Sequence, residues 1–463
     1  MTKNRLLLSV FAIAALATTV SGCRSTEAIL ADYEAKVVVG KFAEAAVEPA
    51  AKADEGGKDA LCWQLHAAAA ERLAGNNDEA VRRFDSAEDL FIDFDNRSGA
   101  GQVSGAAVSM MTGDYAMPYS GIGQDRIFTC LYKAIDFGVM GKPAAVRTEL
   151  NRAMLHQQNW REERSAEIAA AEERTQNDAQ AYARSNGVSS PTGSNAVGTV
   201  SRAFGDAAFS AAIRANAGFD TARDGRIDLL KDDDFANAYL VRVNETFRRY
   251  VGDSGTKPHD MVTVFVEDGM CPRRTEWRID LPLVLFPWVG RYVQYAGMAL
   301  PKLVYRNAAV TAYSVSGAGA TYPMIEIQDV DRLVKTEFDV YFRGALTREI
   351  IRAVARVGTQ VALGAVRDNI SDSNTQLALT LVQLGTAAYS YSATDADVRS
   401  WTALPKKVYM LDLPRPADGI VTVNCGVEQV RLTVSSGNTL VFVRKTSSAA
   451  PSVVKMFTLP NGR

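Results

Sequence analysis

The hydrophobic pattern of this chain changes its period near residue 260, and that change limits the architecture more than any other feature. Up to about residue 185, apolar and small residues recur at helical spacing, whereas from Asp260 onward short apolar runs alternate with polar residues and turns. A period of about 3.6 indicates helices and a period of about 2 indicates strands. We therefore predict an α+β protein, in which a helical N-terminal part precedes a mixed α/β region that ends in a small antiparallel β-sandwich.

The helical part contains an echo with a spacing of 35 residues, because Gly40–Ala45 returns as Gly75–Ala80. In each copy the glycine is expected to end one helix shortly before the next begins. A third unit starts near Ile127 and continues through Gly141–Val146. This pattern resembles the tetratricopeptide repeat, whose period is about 34 residues. The resemblance implies about three degenerate helix pairs; an irregular helical bundle is the alternative.

Two stretches interrupt the helical pattern. Residues 97–124 are rich in Gly, Ser and Met and exceed a repeat turn in length, so they predict a loop or insert. Residues 154–184 predict a polar, solvated helix, and the residues after it read as a linker. The predicted units are a tetratricopeptide-like domain at 23–185, a linker at 186–202, a mixed α/β domain at 203–405 and a C-terminal β-unit at 406–463.

The N-terminus predicts export. Lys3 and Arg5 form a short basic region, Leu6–Val20 is uncharged and mostly apolar, and Ser21-Gly22-Cys23 follows. This arrangement resembles a bacterial lipobox, so residues 1–22 are expected to be a signal peptide and Cys23 the lipidated first residue of the mature protein. Arg24 rather than Asp follows the cysteine, which implies transfer to the outer membrane, facing the periplasm. An ordinary signal peptide with an incidental cysteine is the alternative.

Composition excludes several classes of protein. The 463 residues suffice for two or three domains, and 47% hydrophobic residues exclude disorder as the dominant state. The net charge of −2, without a long basic block, argues against nucleic-acid binding. Removal of the leader with its two basic residues makes the mature chain slightly more acidic. Because the chain has only 3 His, we expect no His-built metal site and no cofactor.

The cysteine count predicts disulfides. If lipid takes Cys23, four cysteines remain in the exported chain: Cys62, Cys130, Cys271 and Cys425. Disulfides persist outside the cytoplasm, so two bridges are possible in any of three connectivities. Pairing of Cys62 with Cys130 and of Cys271 with Cys425 keeps each bridge within one part of the chain. Buried free thiols are the alternative.

Motifs for catalysis are missing from the sequence, which contains no His-Glu-x-x-His, no Gly-x-Ser-x-Gly and no Walker loop. Glu267 and Asp268 follow a predicted strand and could act as paired carboxylates, although a turn favours such residues anyway. Asp397, Arg399 and Trp401 form a second candidate set, because Arg can pair with a carboxylate while it stacks on an aromatic ring. We favour a structural clasp over a binding site for these three residues.

One internal stretch raises the question of a membrane segment. Residues Ser373–Thr394 carry no charge over 22 positions. Nearly half of them are Ser, Thr, Asn or Gln, however, so their transfer into a bilayer is weakly favoured. The composition therefore predicts a packed helix rather than a transmembrane one.

The order of features resembles a family of uncharacterised bacterial lipoproteins with tetratricopeptide-like N-termini. The residues that carry the resemblance are the lipobox, the helical repeats, Val264–Gly269, Asp329–Asp331 and Asp397–Pro405. In that family the gene often lies beside one for an outer-membrane lipoprotein that activates penicillin-binding proteins. The resemblance implies a role in the cell envelope with a link to peptidoglycan synthesis, and it supplies no catalytic activity for any residue.

These observations lead to one prediction of function and two alternatives. We predict a non-enzymatic, lipid-anchored scaffold or accessory factor whose stacked helix pairs bind a protein partner of the cell envelope on their concave surface. The first alternative is an envelope enzyme acting on peptidoglycan or another periplasmic substrate, with Glu267 in a cleft between domains. The second is a structural component of a surface assembly.

Overall fold

The computed structural model describes the chain in several ranges, namely residues 25–112, 114–162, 237–253, 258–281, 296–339 and 395–459, with scattered positions between 341 and 382. Three predictions lie outside the described residues: the signal peptide 1–22, the lipidated Cys23 and the linker 186–202. The predicted polar helix 154–184 is described only as far as residue 162.

Six helices follow one another at the N-terminus: α1 (Thr26–Val38), α2 (Phe42–Glu55), α3 (Ala60–Ala74), α4 (Asn77–Thr112), α5 (Gly123–Val139) and α6 (143–162). The glycine echo marks real helix ends, since Gly40 and Gly75 both adopt positive φ angles, 79° and 89°. A left-handed residue after the last turn is where glycine is favoured. The helical N-terminal region is therefore confirmed.

The loop predicted at residues 97–124 is wrong over more than half of its length. Helix α4 continues without interruption to Thr112, a one-turn 3-10 helix spans Asp114–Ala116, and α5 begins at Gly123. Alanine and methionine are strong helix formers, and five of them lie among the glycines and serines between residues 97 and 112: Ala100, Ala106, Ala107, Met110 and Met111. We attribute the continuous helix to these residues.

Further helices and eleven strands follow within the described ranges. Helix α7 spans Ala238–Val251 and α8 covers residues 330–339. The strands are β1 (Met261–Asp268), β2 (Arg273–Leu281), β3 (Ala296–Val304), β4 (Tyr313–Gly317), β5 (Ala320–Pro323), β6 (Ile325–Asp329), β7 (Lys407–Pro414), β8 (Ile420–Cys425), β9 (Glu428–Thr433), β10 (Asn438–Lys445) and β11 (Val453–Leu459). The predicted α+β class is confirmed.

Three sheets form from these strands. The five-stranded sheet has the order β11-β10-β1-β7-β6, the four-stranded sheet has the order β5-β4-β8-β9, and β2 pairs only with β3. One face of the five-stranded sheet, with Phe265 and Phe442, shares a core with the helices. The opposite face, with Val264 and Val441, packs against Val423 of the four-stranded sheet. The five-stranded sheet is thus the middle layer of the molecule.

Strand pairing crosses the boundary that the sequence suggests at residue 406. Strand β1 lies between β7 and β10, antiparallel to the first and parallel to the second. The last section of the chain therefore does not pair only with itself, and it is not purely antiparallel. The five strands β7 to β11 all lie in that section.

Within the described ranges, no helix is both long enough and apolar enough to cross a bilayer. Residues 375–382, which belong to the uncharged stretch Ser373–Thr394, are helical. Leu377 and Leu381 are about half exposed there, so these side chains are not in the packed position that the composition predicts.

Candidate functional site

A buried clasp ties the C-terminal part of the chain to the helices. The Arg399 guanidinium donates to both oxygens of Asp397, with Nε 2.7 Å from Oδ1 and Nη2 2.9 Å from Oδ2. Its Nη1 donates to Asp59 Oδ1, just before α3, and to the Met117 carbonyl oxygen, both at 2.8 Å. Arg399 is only 1% exposed. A planar guanidinium suits this arrangement because its donors point in fixed directions.

Trp401, two residues further along, fills the space between two helices. Its ring meets Phe84 of α4 and Tyr132 of α5 edge-on, with centroids 5.9 Å away in both cases. The residue is 2% exposed. Edge-to-face pairs of this kind add stability beyond the area they bury. Asp397 and Arg399 are therefore paired in the clasp, whereas Trp401 packs separately against the two helices.

His66 of α3 completes the attachment. Its Nδ1 lies 2.7 Å from the Cys62 carbonyl oxygen, which can only accept, so Nδ1 carries the proton. Its Nε2 then accepts from the backbone N–H of Thr402 at 3.3 Å. Burial lowers the pKa of His66 to about 4, because the charged form would be cut off from water. This histidine is a neutral structural group in the folded protein.

Acid is expected to weaken the fold through His66. A histidine whose pKa is depressed stabilises the folded state fully above its ordinary pKa, and this contribution disappears as the pH falls from about 6.5 towards 4. The loss amounts to about 3 kcal/mol at most. Urea unfolding across this pH range should therefore show a steeper decline for the parent chain than for His66→Gln. Equal slopes would contradict this role.

A second contact between helices and sheet is ionic. Lys455 of β11 places Nζ 2.7 Å from Asp136 Oδ1 of α5, and Arg72 Nε lies 3.4 Å from the same oxygen. All three side chains are buried. Burial lowers the pKa of Lys455 to about 8, which shows that desolvation outweighs the attraction of the carboxylate. Such a buried ion pair defines how α5 and β11 fit together and adds little to the free energy of unfolding.

Beside this ion pair, Gly138 of α5 lets the helix approach the sheet. A Cβ at this position would lie 2.3 Å from Cε1 of Phe457 on β11. We expect Gly138→Ala to lower the free energy of unfolding by about 1–3 kcal/mol, since an added methyl group overpacks the contact. Phe457→Leu should restore part of the loss in the double variant, measured by thermal unfolding. Independent, additive effects of the two substitutions would refute a direct contact.

The inner face of the first helices is consequently covered by the chain itself. We define the inner face as the residues of α1, α3 and α5 that contact the C-terminal part: Glu34, Val37, His66, Phe128, Tyr132, Asp136 and Gly138. The sequence suggests this surface as the place where a partner peptide binds. In the structure it holds the protein's own sheet and the segment around Trp401.

Glu267 and Asp268 do not form a pair. They are adjacent at the end of β1, so their side chains point to opposite faces of the sheet. Glu267 accepts from the Tyr239 hydroxyl at 2.8 Å on the helical side. Asp268 accepts from the Tyr313 hydroxyl at 2.6 Å and from the backbone N–H of Val310 at 3.1 Å on the other side. Both carboxylates are buried and serve packing contacts.

One group of residues between α4, α5 and α6 has the spacing of a metal site, with ligand atoms of Glu88, Cys130 and Glu149 within 4.8 Å of one another. Lys133 already lies among them, with Nζ 2.9 Å from Glu88 and 3.1 Å from Glu149. Burial raises the pKa of the Cys130 thiol, which keeps it protonated. The group therefore contains its own cation and is better described as an ion-pair layer between helices.

The four cysteines expected in the mature chain are all free and buried. The predicted disulfides are thus absent from the structure, and the alternative of buried thiols describes it. Each thiol has a different neighbour. Cys62 lies beside His66, Cys130 lies beside Glu88, and Cys271 donates towards the Trp401 carbonyl oxygen at 3.5 Å. Burial also raises the pKa of Cys271 to about 12, so this thiol is unreactive.

Sequence reasoning missed the helical half of the clasp. Asp59, the Met117 carbonyl and His66 lie some 280 to 340 positions before their partners, and no local pattern connects them. The one usable signal in the sequence is chemical, because a charged Arg near a Trp in an apolar context requires a buried acceptor.

No known protein family, curated protein or solved structure matches this chain.

Proposed function

We propose that this protein is an outer-membrane lipoprotein that faces the periplasm and acts there as a protein–protein interaction scaffold. The lipobox supports an anchor at Cys23. Only Arg24 separates that cysteine from Ser25, whose side chain caps α1 by accepting from the Ala28 N–H at 3.2 Å. The folded body of the molecule therefore starts immediately after the proposed anchor, without a long tether.

We further infer that the helices are tetratricopeptide-like repeats and that two of the sheets form a sandwich. The first helices of successive pairs, α1 and α3, begin at Thr26 and Ala60, which is 34 residues apart and close to the period of that repeat. The valine-rich core between the five-stranded and four-stranded sheets supports a sandwich. Both interpretations concern how the scaffold is built.

The scaffold proposal is supported by the exposed surface of α2, α4 and α6, the second helices of the three successive pairs. Each of α2, α4 and α6 exposes one large apolar side chain: Val47 is 67% exposed, Ile92 53% and Leu155 55%. Single exposed apolar residues are common, but one on each of three successive second helices, with the inner face occupied, favours this side for a partner. The family resemblance suggests peptidoglycan synthesis as the process that the partner serves.

Photocrosslinking in living cells tests the proposal. A photoreactive amino acid at Val47, Ile92 or Leu155 should yield a crosslink to one and the same envelope protein. The control is Arg431, an exposed polar position on β9 of the four-stranded sheet. A crosslink of equal strength from Arg431, or none from the three apolar positions, would argue against the outer surface. Mass spectrometry of the N-terminal peptide tests acylation of Cys23 separately.

We propose no catalytic role for the carboxylates of β1. Their side chains face different layers of the molecule, and each already has a hydrogen-bond donor. An enzyme that acts on peptidoglycan through Glu267 would need that carboxylate in an open cleft, whereas it is 1% exposed. Glu267→Gln should therefore leave any peptidoglycan-related phenotype unchanged when protein levels are matched. Loss of the phenotype at equal abundance would favour the enzyme alternative.

A further inference from the structure

A groove runs along helix α7 where this helix meets strand β7. Its volume is about 380 Å³, and pockets for small molecules typically measure about 300–1,000 Å³. Helix α7 lines most of it, and Met410 and Asp412 of β7 line the other side. We call it the α7 groove. Neither the clasp nor helices α2, α4 and α6 contribute any of the described residues that line it.

The α7 groove holds more positive than negative charge. Three arginines line it, Arg242, Arg248 and Arg249, together with two carboxylates, Glu245 and Asp412. Arg249 Nη2 donates to Asp412 Oδ2 at 3.0 Å, and Arg242 Nη1 donates to Glu245 Oε2 at 3.1 Å. Arg248 is exposed and forms no ion pair within the described ranges. Each guanidinium carries several N–H donors, so the three arginines keep donors for an anion.

A buried amide lines the same groove. Asn244 is only 9% exposed, and its side chain makes no hydrogen bond in the part of the chain that the structure describes. A buried polar group normally has a partner, because burial removes its hydrogen bonds to water. Thr246, which is 3% exposed, brings a hydroxyl group to the groove as well. The groove therefore offers uncharged donors beside its arginines, and a ligand with several oxygen atoms gives the amide a partner.

The end of a helix explains only part of this arrangement. Arg248 and Arg249 lie in the last turn of α7, where basic side chains offset the partial negative charge of the carbonyl groups. The Arg248 carbonyl oxygen, however, already accepts from the backbone N–H groups of Gly252 at 3.1 Å and Asp253 at 2.8 Å. Arg242 lies about two turns earlier, where the effect of the helix end has faded. Capping of α7 therefore does not account for the three arginines in one groove.

A phosphate monoester has the chemistry that fits the α7 groove. Its second pKa is about 6, so it carries close to two negative charges at neutral pH. Arginine binds phosphate oxygens through paired N–H groups. Arg248 is available for such a contact, and Arg242 can join it because its pair with Glu245 is more than half exposed on both sides and therefore weak. The partly buried Met410 offers an apolar contact to the organic part of the ester.

We propose that the α7 groove binds a phosphate monoester, with Arg242 and Arg248 at the phosphate oxygens and Asn244 as an uncharged donor. The same phosphate group occurs in soluble sugar phosphates and in the headgroup of phosphatidic acid. This inference is independent of the scaffold proposal, because the surface proposed for a protein partner lies on other helices.

Isothermal titration calorimetry of the full chain in detergent solution tests the groove with two probes. Glucose 6-phosphate represents the soluble esters, short-chain dihexanoyl phosphatidic acid represents the lipid, and glucose alone is the control without phosphate. We expect Arg248→Gln to weaken the binding of the phosphate probe by about tenfold or more, since a charge-assisted hydrogen bond is lost. Asn244→Ala should weaken it less. Arg431→Gln, at an exposed position on β9, is the matched control and should leave the affinity unchanged.

The two probes also identify the source of the phosphate group. Binding of glucose 6-phosphate alone supports the proposal with a soluble ester as the ligand, and binding of phosphatidic acid alone supports it with a lipid headgroup. The proposal is overturned if neither probe binds, if glucose binds as well as its phosphate, or if Arg248→Gln binds the probe as tightly as the parent chain. Arg248 is exposed, so circular dichroism of this variant should match that of the parent chain.

Discussion

Replacing Arg399 by methionine is expected to lower the free energy of unfolding by about 3–5 kcal/mol. Methionine keeps much of the volume but removes the charge, which leaves Asp59 and Asp397 facing each other without a cation. It also deprives the Met117 carbonyl oxygen of its donor. Urea unfolding followed by far-ultraviolet circular dichroism measures the change.

Two variants make this test specific for the clasp. Arg431→Met removes the same side chain from an exposed position on β9 and should change stability by less than about 0.5 kcal/mol. Adding Asp59→Asn and Asp397→Asn to Arg399→Met should recover part of the loss, because two uncompensated charges disappear. The clasp would be disproved by an Arg399→Met protein that is as stable as the Arg431→Met protein.

Trp401→Ala is expected to cost about 3–5 kcal/mol as well, through the loss of packing rather than of charge. The indole fills the space between α4 and α5, and the structure can close only part of the resulting cavity. Trp401→Phe keeps an aromatic ring and should cost much less. Differential scanning calorimetry of the three proteins checks the order.

A double-mutant cycle with Phe84→Ala isolates the edge-to-face contact, for which we expect a coupling of about 0.5–1.5 kcal/mol. Trp277→Ala serves as the comparison, because that tryptophan is only partly buried on β2. Equal losses of stability for Trp401→Ala and Trp277→Ala, or strict additivity with Phe84→Ala, would contradict the packing of Trp401 between α4 and α5.

Local patterns predicted the elements well and their assembly poorly. The glycine echo located the ends of α1 and α3, and the apolar run of residues 260–266 located β1, since these signals come from backbone preferences of neighbouring residues. The parallel neighbour of β1 lies far away, with Val264 opposite Val441. No local pattern in the sequence indicates which distant strand supplies that pairing.

In the candidate site, too, the local residues are predictable from the sequence and their distant partners are not. Asp397, Arg399 and Trp401 form a candidate set in the sequence because Arg can pair with a carboxylate while it stacks on an aromatic ring. The structure pairs Arg399 with Asp397 but packs Trp401 against other rings. The identity of the partners depends on how helices and sheet meet. The disulfides failed for that reason too: the count of cysteines is a property of composition, whereas their separation is a property of the fold.

The position of β1 in the middle layer also determines when this protein can fold. Residue Val264 is held on one side by β7 and on the other by β10, both of which are synthesised near the end of the chain. Pairing over such separations is slow, because a long loop must close before any contact forms. The helices can form early, but the sheet on which they rest is completed only after nearly the whole chain has been made. Until then the inner face of the helices is exposed, and in that interval a chaperone has an apolar surface to bind.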